Sequence, residues 1–205
     1  MKRIIFSICF LSLFVSVYTQ SDEINISAAF NQSIELQIVG NANCSFTFSS
    51  VNHYKNGFAA NSNHGSNHIQ FQVESSTNFQ VDMTNTDFTD GDGNILDSRF
   101  FHVRLMNLNN VSQIGSRFTF SPGNGFSIPA NGSDAYILDK ATKTLILPGP
   151  NGNAGNFEEN HFQIRIGVGI AGILKKNNLP NMLDANITPG TYTSVLTLTA
   201  VPVIL

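Results

Sequence analysis

The sequence predicts an all-β chain folded as an antiparallel β-sandwich, with a closed barrel or jelly roll as the alternative. Apolar and polar residues alternate at period two almost from end to end, as in Ile69, Phe71 and Val73 against His68, Gln70, Gln72 and Glu74. Clusters of Gly, Pro and Asn punctuate these runs at short intervals, at Asn56-Gly57, Asp90 to Asn94, Pro122 to Gly125, Pro148 to Gly155 and Asn177 to Asn181. Beyond the first twenty or so residues no segment carries a convincing helical period. Each alternating strand buries one face, so a second layer is needed to cover it.

The strands follow in order. Ile24 to Phe30, Ile34 to Ile38 and Cys44 to Ser49 alternate early in the chain. Ile69 to Glu74 and Asn78 to Thr84 flank the polar turn Ser75-Ser76-Thr77, a pattern that predicts a hairpin. Phe100 to Leu108, Arg117 to Phe120, Ala135 to Leu138, Thr144 to Leu147 and His161 to Ile170 come next. The last strand, Tyr192 to Val203, is launched by Pro189-Gly190, whose dihedral preferences suit a turn.

Lys2 and Arg3 precede an apolar run from Ile4 through Val17, which reads as a secretory signal peptide over residues 1–19. The run falls short of the roughly 20 apolar residues of a membrane span. Residues 20–205 then form a single β-sandwich domain. The chain carries 11 basic and 14 acidic residues, and two of the basic ones leave with the leader, so nucleic acid is not an expected partner. Of the two cysteines, Cys9 lies in the leader, leaving Cys44 without an internal disulfide partner. The core must therefore supply the stability.

Four motifs bear on chemistry. Asp90, Asp92 and Asn94 offer oxygens at alternate positions, with Asp97 close behind, and this spacing is the candidate calcium site. Ile95 and Phe101 stand where a helical calcium loop needs Gly and Glu, so the alternative to a β-loop ion site is an acidic turn bent by its Asp-Gly pairs. Gly167-Val168-Gly169-Ile170-Ala171-Gly172 spells a dinucleotide fingerprint, but too few residues follow before Asn177 and Pro180 for the helix such a site needs; bulge or close-packing glycines are the expectation. His53, His64 and His68 are near one another in sequence, yet His64 and His68 would lie about 13 Å apart on one strand, too far for one metal. Neither a Gly-x-Ser-x-Gly elbow nor a catalytic setting for Cys44 is present, so the chain is not expected to be an enzyme and no cofactor beyond calcium is expected.

The turn Thr188-Pro189-Gly190-Thr191-Tyr192, the strand Val195 to Thr199 after it, and the strand Phe162 to Val168 before it resemble parts of secreted bacterial Ig-like β-sandwich proteins. These are fimbrial or pilus subunits and related surface or coat proteins. Two departures stand out: Cys44 has no second cysteine, and the chain ends Val203-Ile204-Leu205 rather than with a penultimate Tyr. The resemblance implies a non-catalytic structural protein, secreted, periplasmic or at the cell surface, that assembles with itself or with other surface proteins. In that setting Ile24, Ile26, Ala28 and Phe30 could complete a neighbour's sheet. The alternative function is a calcium-assisted carbohydrate-binding or adhesin module. No membrane span is expected once the leader is removed.

Overall fold

Alternation becomes burial wherever a strand has a neighbour to pack on. The computed structural model describes residues 32–40, 42–59, 67–108, 117–120 and 136–203. The expected leader and the expected strand Ile24 to Phe30 lie outside these residues. The described strands are β1 (Ile34–Val39), β2 (His68–Ser75), β3 (Phe79–Asn85), β4 (Phe88–Thr89), β5 (Ile95–Leu96), β6 (Phe101–Asn107), β7 (Phe118–Phe120), β8 (Tyr136–Ile137), β9 (Lys143–Pro148), β10 (His161–Val168) and β11 (Leu196–Pro202). β1-β2-β10-β6-β8 form one sheet of five strands and β11-β3-β9-β7 another of four, with every neighbouring pair antiparallel. β4 and β5 make a separate two-stranded ribbon.

The two large sheets face each other through their apolar sides, which makes the fold an all-β sandwich with open edges, not a closed barrel. Phe71 and Val73 on β2, Phe79 and Val81 on β3, and Phe162 on β10 are all fully buried. Phe162 joins the layers: its ring stacks on Phe71 of the same sheet at 5.2 Å and meets Phe118 of the opposite sheet edge-on at 5.1 Å. Burial of each such side chain contributes about 1.5–3 kcal/mol relative to exposure.

β2 and β3 are not the hairpin that their spacing predicts. β2 pairs with β1 and β10, whereas β3 pairs with β11 and β9, so Ser76 to Asn78 carry the chain from one sheet to the other. The apolar faces of β2 and β3 therefore meet across the core instead of lying side by side. The corner is fixed by polar groups. The Ser75 hydroxyl donates to the Thr77 carbonyl at 2.7 Å, and Ser75 and Gly155 exchange both backbone hydrogen bonds at 2.9 Å.

Four further elements depart from the expected pattern. Cys44 to Ser49 is no strand, although its exposure alternates as a strand's would. Two short helices occur, α1 (Val51–Asn56) and α2 (Ala171–Lys176). Each is six residues long, too short to display a helical period in sequence. The long closing strand is also divided: Thr193 bridges to Thr89 of the ribbon, and the ladder with β3 begins only at Leu196.

Candidate functional site

The Asp-rich segment is the ribbon β4–β5 and its turn. Asp90 folds the turn with its own carboxylate, which accepts from the Asp92 N–H at 3.0 Å, the Asn94 N–H at 2.7 Å and the Asn94 amide at 2.8 Å. These bonds, the Asn94 amide first, hold the Asp90 carboxyl below the usual carboxylate range. Asp97 caps the 3₁₀ turn Ser98–Phe100 by accepting from the Arg99 N–H at 2.9 Å, and it pairs with the Arg99 guanidinium at 2.6 Å. Its carboxyl is likewise lowered, chiefly by the Arg99 hydrogen bond. Asp92 is exposed and Asn94 partly so. Among the described residues no three His, Cys, Asp or Glu side chains are grouped so as to hold a metal ion.

An open hollow of about 390 Å³ lies beside this ribbon, lined in part by Asp87, Ile95, Asp97, Arg99, Asp139 and Lys140. Its charges are matched in pairs: Lys140 with Asp87 at 3.0 Å, Arg99 with Asp97, and Lys143 with Asp139 at 2.8 Å. Lys140 has a left-handed backbone, with φ of 65°, and its N–H donates to the Asn85 side chain at 3.1 Å. The hollow is thus an ion-paired surface in which each carboxylate already has a cation.

The glycine motif does contain a helix start, contrary to the expectation that none would fit, since α2 begins at Ala171. The strand before it, however, is antiparallel to both its neighbours, which is not the parallel setting of a dinucleotide fold. The glycines serve close packing. Gly169 has φ of +71°, and a Cβ on it would fall 2.4 Å from the Met182 sulfur. A Cβ on Gly57, across from it, would meet the Val168 carbonyl oxygen at 2.1 Å. His53 lies in α1, packs at a tilt against the Phe58 ring with centroids 4.8 Å apart, and takes a hydrogen bond from the Ser49 N–H at 3.2 Å. His68 is exposed at the start of β2, and His64 lies outside the described residues. Burial pushes the Cys44 thiol up to about 11, which leaves it protonated and unreactive at neutral pH.

The other feature that can meet a partner is the set of sheet edges. Among the described residues, the edge strands of the sandwich are β1, β8, β7 and β11. Proteins guard such strands with brevity, charge or proline, because their outward N–H and C=O groups can template pairing with another chain. β8 has two residues and β7 three. β1 carries Glu35 on its exposed side. β11 is seven residues long, and the sequence holds no charged residue after Asp184. Pro202 alone interrupts it, at its last position. Thr197 and Thr199 face outward, while Leu196, Leu198 and Ala200 lie half-buried against the core. Its alternation marks this segment as a strand in the sequence, but only the sheet order places it at an edge.

The architecture defines the chain as an open-edged antiparallel β-sandwich protein. No model of a known protein family matches it, and no curated protein matches it. Among the described residues no helix is long and apolar enough to cross a membrane.

Proposed function

We propose that this is a non-enzymatic structural protein, secreted or displayed at the cell surface, that assembles with copies of itself or with other surface proteins through its sheet edges. An appendage or coat subunit is the form this takes. The observation that carries the reading is β11, a long uncharged edge strand in a chain that shortens or charges its other edges. Such a strand is a hazard unless something pairs with it. The hydroxyl-rich outer face of β11 supports display in water, because Thr and Ser keep an exposed strand soluble without charge. The ion-paired hollow and the inert Cys44 offer no nucleophile or free acid–base pair to set against this.

Sedimentation velocity of the purified protein over a wide range of concentration tests the proposal. Species larger than the monomer should grow with concentration and should persist in high salt, because backbone pairing is not screened as ion pairs are. A single monomeric boundary at every concentration, with or without extracts of the cell surface, would overturn it.

A further inference from the structure

The outer face of the five-stranded sheet carries its charges in two like-signed pairs. Val73, Val103, Leu105, Ile164 and Ile166 are buried in the core, so by alternation Glu74, Arg104 and Arg165 lie on the opposite side of the sheet. Exposed Glu35, next to the core-packed Leu36, lies there too. Glu35 stands directly opposite Glu74 in the β1–β2 ladder, and Arg165 directly opposite Arg104 in the β10–β6 ladder. His68, opposite Arg165 on its other side, extends the basic row. Like charges so placed repel and cost stability. Glu35, Glu74 and Arg165 enter none of the ion pairs among the described residues; Arg165 gives its Nε–H to the Gln163 side chain at 2.7 Å.

The two pairs sit at opposite ends of the face. Along β2 the six steps from His68 to Glu74 cover about 20 Å at the strand rise. That is about twice the screening length at physiological salt, so the ends do not neutralise each other within one molecule. Between them lie Gln37, Gln70, Gln72 and Gln163, whose amides both donate and accept, with His161 bonded to Gln70 at 3.1 Å.

We infer that this face docks on the same face of a second copy, the Glu35–Glu74 pair of each against the Arg104–Arg165 pair of the other. Charge complementarity selects this occupant. An acidic polymer would use the arginines and be repelled by the glutamates, whereas a second copy uses both ends. A two-fold axis lying between the faces, at right angles to the line joining the two pairs, makes both contacts in one operation. The contact is isologous and closes at a dimer. It uses the face of a sheet, not its edges, and so does not rest on the pairing of β11.

The test uses Arg165→Glu and Glu74→Arg. Each turns a repelling cross-strand pair into an attracting one, so the midpoint of urea unfolding should hold or rise. Self-association, measured by sedimentation equilibrium at low salt, should nevertheless weaken about tenfold or more in each, because one end of the face no longer attracts its counterpart. Mixed in equal amounts, the two variants should form a heterodimer. The intact glutamate pair of the first then meets the intact arginine pair of the second, a contact that neither variant makes with itself. The parent dimer should dissociate as salt rises to about 1 M, where charges are screened beyond about 3 Å. A mixture that does not associate, or a Glu74→Arg variant that dimerises as the parent does, overturns this contact. So does a parent that forms only salt-resistant species, which leaves edge assembly standing. A parent that is monomeric at every concentration and salt overturns both.

Discussion

The side chain of Asn153 is bound at both ends to the backbone of Phe79, its Oδ1 accepting from the Phe79 N–H at 2.9 Å and its Nδ2 donating to the Phe79 carbonyl at 2.8 Å. Asn153 is fully buried, and its own N–H donates to the Asn78 side chain at 2.9 Å. One carboxamide thus supplies the two hydrogen bonds that a strand would give at the point where the chain turns from one sheet to the other. Asn153→Ala should cost about 2–4 kcal/mol, since it orphans a buried donor and a buried acceptor. Asn153→Asp should cost at least as much, because it removes the donor and brings a charge into the core. Urea denaturation of the three proteins checks both values.

That corner also shows what the sequence could not convey. The alternation of Ile69 to Glu74 and Asn78 to Thr84 is the same whether the two strands lie side by side in one sheet or face each other across two. Period two reports which side of a strand is buried, not which strand is beside it. The deciding contact comes from Asn153, some seventy-five positions away from Asn78. In the same way the strand-like pattern at Cys44 to Phe48 was legible, and its missing ladder was not. The Asp90 turn was legible in its Asp-Gly pairs, whereas the use of Asp97 as a cap for the turn holding Arg99 depends on local geometry that spacing does not carry.

Phe162 is one ring through which the two sheets touch. Phe162→Ala should destabilise the fold by about 3–5 kcal/mol, whereas Phe162→Leu, which refills part of the space, should cost less. Equilibrium unfolding should rank them in that order.

Burial, aided by the charge of Arg104, depresses His102 to about 4, against an ordinary value near 6.5, and its Nδ1 has no hydrogen-bond partner. The unfolded chain then binds a proton that the folded chain refuses. Stability from this residue is complete above about pH 6.5 and falls as pH drops toward 4, by up to roughly 3 kcal/mol. Below 4 the loss stops growing. In His102→Gln the unfolding free energy should be flatter between pH 6.5 and 4 than in the parent, and an unchanged slope would remove His102 as its source.

The Asp90 carboxylate is occupied by its own turn and Asp97 by Arg99. Calcium should therefore leave the melting temperature unchanged, while Asp90→Ala should lower it with or without calcium. A calcium-dependent rise that Asp92→Ala abolishes would instead establish the ribbon as an ion site.

The central claim is that the outer edge of β11 is used in assembly, and amide hydrogen exchange along Leu196–Pro202 reads that edge directly. Alternate amides facing β3 should exchange slowly in dilute and concentrated protein alike. The intervening outward amides should exchange fast when dilute and become protected as the protein assembles. If the outward amides remain equally fast in a sample shown to be assembled, the edge is not the contact and the account fails.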